Sequence, residues 1–234
     1  MKHFDTVIRG GTVVTAADST ECDVGIIDGR VAALGLGFSD ADRVIDATGK
    51  LVLPGGIEGH CHIEQQSSVG GVMSADDFFT GTRSAVFGGT TTTLSFAQQI
   101  PGESLRKTVQ DYHECARTKA VIDYGFQLII YDQTEQVLGQ DLPALVADGM
   151  PSFKVYMTYD SLKLDDRQML EVLSTARRYG AMMMIHAENH DMIKWLTNRL
   201  LSGGYVAPKF HAIIHADIAE GEATHRAIRL SQLM

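Results

Sequence analysis

Residues 55–66, GGIEGHCHIEQQ, place two histidines one residue apart inside what the flanking residues predict to be a buried β-strand. Side chains two residues apart on a strand point to the same face. His60 and His62 are therefore expected to project together, while Cys61 and Ile63 face the other way. Two converging imidazoles are half of a metal site, because neutral imidazole is a good ligand for zinc, iron and nickel. Histidine pairs without a metal are also common, so the interpretation of this pair depends on the rest of the chain.

The segment before this stretch is rich in β-branched residues and in glycine-containing turns. Three segments, 5–15, 22–35 and 42–56, each predict two short strands around a turn signal. The turn signals are Gly10-Gly11, Asp28-Gly29 and Thr48-Gly49. We therefore predict a small antiparallel β unit, residues 1–53, as the first domain.

After His62 the pattern changes to apolar strands that alternate with amphipathic helices. Strands are predicted at about 88–97, 120–130, 151–159 and 181–189. Helices are predicted at about 75–87, 104–117, 134–148, 166–179, 191–202 and 217–233. Short connections and strands that are apolar throughout predict parallel βαβ units in an α/β fold. Because the sequence has no glycine-rich phosphate-binding loop, the pattern favours part of a (β/α) barrel, residues 54–234 with about five strands, over a dinucleotide-binding fold.

The composition excludes several classes of function. The 234 residues are 44% hydrophobic and 21% charged, which is typical of one or two globular domains. A formal net charge of −9 argues against a nucleic-acid partner or an anionic membrane. The N-terminal residues predict neither a signal peptide nor a membrane span. Three cysteines, Cys22, Cys61 and Cys115, share no C-x-x-C spacing, so we expect reduced thiols in the cytoplasm.

Polar residues fall where a barrel would place its chemistry, at the carboxyl ends of the strands. The first barrel strand ends in His60 and His62. The fourth contains Lys154, with Tyr159 five residues later, and the fifth ends in His186. The architecture alone therefore predicts that these five side chains lie at one end of the barrel.

A lysine within a buried strand costs free energy unless it is paired or chemically altered. Lys154 could instead lie on an edge strand with its ammonium at the surface. If CO₂ carboxylates the amine, the resulting carbamate has two oxygens that can bridge two divalent cations, which could then share one hydroxide and polarise a carbonyl. His60 and His62 would hold one ion and His186 the other. The phenol of Tyr159 could reach the developing oxyanion.

Five stretches of the chain resemble the dihydropyrimidinase/hydantoinase branch of the amidohydrolase superfamily. They are PGGIEGHCHIEQ, GGTTTTLSFA, SFKVYMTY, MMIHAEN and EGEATHRAI. The H-x-H pair is shared across the superfamily, whereas SFKVYMTY together with HAEN is more specific to the cyclic amidases. The resemblance extends over essentially the whole chain.

The resemblance implies a (β/α)₈ TIM barrel of the metal-dependent hydrolase type with a small accessory β-sandwich, whose first portion is residues 1–53. It implies two divalent ions bridged by carboxylated Lys154, and zinc is the metal expected at both positions. His60 and His62 match ligands of the first ion, His186 matches a ligand of the second, and Tyr159 matches the tyrosine near the scissile carbonyl. The implied reaction, part of pyrimidine degradation in this family, is ring opening of hydantoins or dihydropyrimidines by a metal-bound hydroxide.

The family enzymes are considerably longer than this chain. A further ligand histidine and an aspartate that acts as general base would lie beyond residue 234. We therefore expect a barrel truncated before its sixth strand and a chain that is inactive alone. Residues 64–74 and 93–100, with Met157, resemble the segments that shape specificity. The family also implies a homo-oligomer, a tetramer or a dimer, that acts on a small cyclic amide.

The sequence departs from the family at two places. Glu58 stands where an aspartate is usual, and the loop before the last helix, FHAIIHADIAEGEA, lacks the usual serine-arginine-proline turn near positions 215–217. His211, His215 and His225 are discounted as replacement ligands, because they lie in that loop or inside the helix that follows. Glu188 and Asn189 are expected either to orient His186 or to cap the next helix.

Two other classes of function remain as alternatives. A non-catalytic, dihydropyrimidinase-like assembly protein has the same fold, but such relatives characteristically lose metal ligands, which this chain keeps. An inactive fragment is the second alternative. Within the enzymes, allantoinase and dihydroorotase are weaker interpretations, because those relatives commonly carry an arginine two residues after H-x-H, where this chain has Glu64.

Overall fold

The computed structural model describes residues 3–66 and 71–234, which divide into two compact units between Gly56 and Ile57. Each unit contains a five-stranded sheet of its own. The sheet of the first unit is mixed and that of the second is parallel, so the predicted α/β class is confirmed in this coarser form. In the described part of the chain, no helix is both long enough and apolar enough to cross a bilayer.

The first unit consists of β1 (Phe4–Val14), β2 (Ser19–Ile27), β3 (Arg30–Gly35), β4 (Ala41–Asp46) and β5 (Leu51–Val52). The strand order is β3-β2-β1-β4, and β5 also pairs with β1. Antiparallel pairing joins β1 to β2 and β2 to β3, whereas β4 and β5 both run parallel to β1.

Of the three predicted hairpins, the middle one is confirmed and the other two are wrong. Asp28 and Gly29 connect β2 to β3 with positive φ angles of 51° and 71°, as a type I′ turn requires. Gly10 lies instead at a register shift inside the continuous strand β1, where its N–H donates to the buried carboxylate of Asp23 at 2.9 Å. Thr48 and Gly49 do connect β4 to β5, but each of these strands pairs with β1, so the unit is mixed and not antiparallel.

The second unit contains a curled parallel half-barrel. Its strands are β6 (Gly56–Cys61), β7 (Thr90–Gln98), β8 (Asp123–Ile129), β9 (Ser152–Tyr156) and β10 (Met182–His186), and their order in the sheet follows their order in the chain. The pairs β7–β8, β8–β9 and β9–β10 are parallel. The carboxyl ends of these strands therefore lie along one edge of the sheet.

The helices agree with the periodicity of the sequence, apart from details of their ends. They are α1 (Phe78–Phe87), α2 (Leu105–Arg117), α3 (Leu142–Ala147), α4 (Asp166–Tyr179), α5 (His190–Ser202), α6 (His211–Ile214) and α7 (Asp217–Leu233). Helix α1 begins later than predicted because Asp77 caps it, accepting from the N–H of Thr80 at 2.9 Å. The predicted helix at 134–148 is divided, since a π-helical turn, Val137–Asp141, precedes α3.

Alternation along the strands separates two apolar clusters. Phe153 and Val155 of β9 belong to the large cluster that includes residues of the helices. Tyr156 belongs to a smaller cluster with Phe96 and Ile129. Because neighbouring side chains on a strand face opposite ways, Lys154 lies on the same face of the sheet as this smaller cluster.

Polar side chains hold the histidine-bearing strand β6 onto the sheet. The buried hydroxyl of Ser95 accepts from the N–H of Ile63 at 3.1 Å and donates to the carbonyl of Cys61 at 3.3 Å. The buried side-chain amide of Gln127 donates to the carbonyl of Gly59. Most of β6 is itself exposed, so these hydrogen bonds take over part of the role that apolar burial has in the other strands.

Two substitutions on β7 separate this role from simple packing. Replacing Ser95 with alanine should lower the free energy of unfolding by about 1–3 kcal/mol, because the buried N–H of Ile63 loses its acceptor. Thr93 is the matched control: its hydroxyl is buried and has no hydrogen-bond partner among the residues that the structure describes. Thr93→Val should therefore leave stability unchanged or raise it by about 1 kcal/mol. Urea denaturation measures the free energy of unfolding of both variants. Equal losses in Ser95→Ala and Thr93→Val would contradict the hydrogen-bonding role of Ser95.

Candidate functional site

A cavity of about 390 Å³ lies at the carboxyl ends of the half-barrel strands. The five side chains predicted to carry the chemistry all line it: His60, His62, Lys154, Tyr159 and His186. The structure therefore brings together residues from β6, β9, β10 and the turn after β9. Their roles as metal ligands and as a catalytic residue remain predictions.

The histidine pair is arranged as the spacing predicts. The ring centroids of His60 and His62 are 5.8 Å apart, and both rings pack on Phe96, at 4.8 Å and 4.7 Å. Cys61 and Ile63 face away, toward the large apolar cluster. Burial, assisted by the charge of Lys154, lowers the pKa of His60 and so favours the neutral imidazole that a metal requires.

Two of the predicted ligands have one ring nitrogen committed to a neighbour. His62 Nδ1 lies 2.6 Å from the amide oxygen of Gln65, whose own amide nitrogen donates to Gln98. His186 Nε2 lies 2.6 Å from a carboxylate oxygen of Glu188. Each neutral ring then keeps its lone pair on the other nitrogen, Nε2 of His62 and Nδ1 of His186. Histidines that bind metals usually donate their second nitrogen in this way, so the donor set fits a metal.

Lys154 is buried on the cavity side of β9, with 6% of its surface exposed. Its Nζ lies 5.7 Å from the ring centroid of Phe96 and 5.3 Å from that of Tyr156. Burial is the sole cause that lowers the pKa of this amine, and in the described part of the chain no carboxylate forms an ion pair with it. The edge-strand alternative is wrong, because β9 has neighbours on both sides.

Tyr159 has a strained backbone at the rim of the cavity. Its φ of 71° is unusual for a residue with a side chain, and such strain is concentrated at functional sites. The N–H groups of Leu162 and Lys163 both donate to its carbonyl and hold this conformation. Its hydroxyl lies 3.5 Å from His186 Nε2. Burial, and then the charge of Glu188, raise the pKa of the phenol, which keeps it protonated.

The contacts of several residues at the site were not predicted individually from the sequence. Gln65 and Gln98 carry no motif, and their role follows from a contact across 33 residues. Glu188 does contact His186, while Asn189 caps α5 by accepting from the N–H of Met192 at 3.0 Å. His215, discounted as a ligand, instead contacts Glu188.

The described residues contain no group of three or more His, Cys, Asp or Glu side chains arranged to hold a metal ion. His60, His62 and His186, which come from two separate strand ends, therefore do not form such a group by themselves, although all three line the cavity. The fourth predicted ligand is Lys154, and the metal site stays a prediction.

The predicted specificity segments are only partly at the cavity. Of residues 64–74, positions 67–70 lie outside the described residues, while Gln65, Gln66, Met73 and Ser74 line the cavity. Of the second segment, residues 93–100, Gln98 lines the cavity. Met157 does not line it, because alternation along the chain places this side chain in the large apolar cluster.

Comparison with known proteins identifies relatives over nearly the whole chain, although no family model matches the sequence. D-hydantoinase from Geobacillus stearothermophilus is 44% identical over 230 residues, which cover 97% of this chain and 48% of that protein. The structure of D-hydantoinase from Bacillus sp. AR9 aligns with a TM-score of 0.92 and 46% identity, over 97% of this chain and 50% of that one. Dihydropyrimidinase from Brevibacillus agri aligns with a TM-score of 0.92 and 44% identity, with the same coverage.

The fold and the cavity define an α/β protein whose parallel half-barrel carries histidines and a buried lysine at the ends of its strands. The chain is similar to the N-terminal half of proteins named D-hydantoinase and dihydropyrimidinase. It spans about half the length of the curated relatives it matches. The resemblance predicted from the five sequence stretches is confirmed.

Burial of an ammonium predicts that Lys154 destabilises the metal-free chain. In CO₂-free buffer at neutral pH, Lys154→Met should raise the free energy of unfolding by about 1–3 kcal/mol. The pKa of the folded state lies below the ordinary value of 10.5, so between these two values the folded wild-type chain binds fewer protons than the unfolded chain. Wild-type stability therefore rises with pH in this window, and the advantage of the variant shrinks.

Urea unfolding at a series of pH values measures the effect. Lys163→Met is the control, because that lysine is exposed in the turn after β9. An advantage of Lys154→Met that does not change with pH would contradict the account.

Proposed function

We propose that this protein is a metal-dependent hydrolase that opens the ring of a cyclic amide, a hydantoin or a dihydropyrimidine, by cleaving its C–N bond. Because the chain spans about half the length of its relatives, the activity of the whole protein stays a proposal. In this proposal, residues 1–53 would form the β-sandwich portion and residues 54–234 the first part of the barrel. The names of the relatives, D-hydantoinase and dihydropyrimidinase, support this substrate class.

One observation carries the proposal: three imidazoles and a lysine that is buried, and that has no ion-pair partner among the described residues, converge on one cavity. His60, His62 and His186 would hold the cations, together with Lys154 once its amine is carboxylated. The committed second nitrogens of His62 and His186 support this assignment, because they leave one lone pair per ring for a metal. Two divalent cations bound there, zinc by preference, would polarise the scissile carbonyl and activate water.

The lysine is suited to carboxylation by its own environment. Its lowered pKa increases the fraction of neutral amine, and only the neutral amine has a lone pair that can attack the carbon of CO₂. A new N–C bond forms, one N–H proton passes to water, and the product is a carbamate anion. The modification thus converts a buried cation, which repels metals, into an anionic ligand.

Tyr159 would act on the substrate directly. Since its phenol stays protonated at neutral pH, it can donate a hydrogen bond to the carbonyl oxygen as negative charge develops there. Its fixed backbone, held by two hydrogen bonds, limits the movement of the ring and so reduces the entropy lost on binding.

The alternative functions are less well supported. A non-catalytic assembly protein would have no need of the buried Lys154, which costs stability. An inactive fragment stays an alternative for the 234 residues alone, because the ligand histidine and the aspartate implied by the resemblance are matched by no residue here. We expect these residues to bind metal without turning over substrate. Allantoinase and dihydroorotase remain the weaker enzyme alternatives.

The setting of the protein is also part of the proposal. All three cysteines are free thiols, which supports a reducing compartment, the cytoplasm. We propose a homo-oligomer, a tetramer or a dimer, as the resemblance implies. The partner molecule is a small cyclic amide, and neither nucleic acid nor membrane is expected to bind.

Zinc binding by the size-fractionated chain tests the proposed site. We expect at least one zinc per wild-type chain by elemental mass spectrometry, and at least a tenfold loss of affinity in His62→Ala, which removes one ligand. Cys61→Ala is the matched control: it lies next to His62 but faces the apolar cluster, and should bind zinc as the wild type does.

A second readout reports on the lysine. After incubation with ¹³C-bicarbonate, a carbamate signal should be present in the zinc-loaded wild type and absent from Lys154→Met. A chain that binds no zinc and shows no carbamate would contradict the proposed function. Hydrolysis of hydantoin or dihydrouracil by the 234 residues would contradict only the expectation that they are inactive alone.

A further inference from the structure

Glu188 connects two histidines from distant parts of the chain. One carboxylate oxygen lies 2.6 Å from His186 Nε2, and the other lies 2.6 Å from His215 Nδ1. The side chain of Glu188 is 16% exposed and that of His215 is 23% exposed, so the three groups are shielded from most of the solvent. The result is a continuous chain of hydrogen bonds from His215 to the cavity.

The position of His215 is set by packed structure and not by a free loop. It follows α6 directly and precedes α7 by two residues. Helix α7 is attached to the end of β10, because the N–H of Asn189 donates to the carbonyl of Ala219 at 3.0 Å. The side-chain amide of Asn189 also donates to Glu222 of α7 at 2.6 Å. His215 therefore approaches Glu188 from the two-residue connection between α6 and α7, and α7 is fixed next to Glu188.

Both oxygens of Glu188 are needed for a defined orientation. With two donors, one on each oxygen, the plane of the carboxylate cannot rotate without breaking a hydrogen bond. In the described part of the chain, His215 is the one donor to Oε1. Without it, the carboxylate could turn away from His186, and the Nε2–H of His186 would lose its short contact and keep only the hydroxyl of Tyr159, at 3.5 Å, among its described neighbours.

We propose that His215 is a positioning residue, which acts through Glu188 to hold His186, a cavity residue, as the Nε2–H tautomer with its lone pair on Nδ1. An imidazole that has lost its Nε2 acceptor is free to exchange tautomers, and the Nδ1–H form cannot bind a metal through Nδ1. The effect on metal affinity rests on the proposed function. The effect on the tautomer does not, because it exists in the metal-free chain.

The test compares three variants of the full 234-residue chain. His215→Phe keeps a ring against His211, whose centroid lies 4.3 Å from that of His215, but removes the donor. His215→Asn keeps a donor, since the amide nitrogen stands near the place of Nδ1. His225→Ala is the control, because this histidine lies on the exposed face of α7 and contacts Arg229 instead.

Long-range ¹H–¹⁵N spectra of histidine-labelled, metal-free protein in mildly alkaline buffer read the tautomer of His186. The wild type, His215→Asn and His225→Ala should show the Nε2–H form, and His215→Phe should show a mixture. Zinc affinity should fall about tenfold in His215→Phe and return in His215→Asn. Should His215→Phe fail to fold, His215→Ala serves in its place.

An unchanged His186 tautomer in the donor-free variant would overturn the proposal, whatever zinc does. Loss in His215→Asn equal to that in His215→Phe would also overturn it, because the role would then be one of packing. A shifted tautomer in His215→Phe with no zinc bound by any protein would support the positioning role and remove the proposed metal function. The two failures are therefore distinguishable.

Discussion

A lysine amine buried on the cavity face of a central strand is the constraint around which the site is organised. Lys154 is buried at the cavity, and its described neighbours include aromatic rings but no carboxylate partner. An ammonium in this place costs stability, and an anionic derivative needs cations. Three histidines at the ends of the two edge strands, β6 and β10, line the same cavity and are the ligands proposed for such cations. Fold, burial and chemistry thus favour the same conclusion.

Polar contacts outside the cavity complete this arrangement. Ser95 and Gln127 fix the strand that carries the histidine pair. Gln65 orients His62, and Glu188 orients His186. None of these side chains is a predicted ligand. Together they limit the rotation of the imidazoles, which would reduce the conformational entropy lost when the proposed metal binds. The site therefore combines a buried lysine, which lowers stability, with histidine side chains that these hydrogen bonds already hold in place.

Periodicity predicted the parts of the structure that depend on local pattern. The helices at 166–179 and 217–233 have their predicted bounds, and the polar strand ends meet at one edge as expected. The hairpin signal at Gly10-Gly11 failed, because two glycines suit a bulge within a strand as well as a turn. The contact between Glu188 and His215 spans 27 residues and has no local signature, so it could not be predicted from spacing. Polar contacts between residues far apart in the chain cannot be predicted from the local pattern of a single sequence.

The most direct test of the central claim is X-ray absorption at the zinc edge on the zinc-loaded chain. The account predicts only nitrogen and oxygen ligands, at about 2.0–2.2 Å, with the imidazole contribution reduced in His186→Ala. A sulfur shell at about 2.3 Å would contradict it, because the metal would then be bound by Cys61 or Cys115 outside the cavity. An imidazole contribution unchanged in His186→Ala would equally exclude this histidine as a ligand.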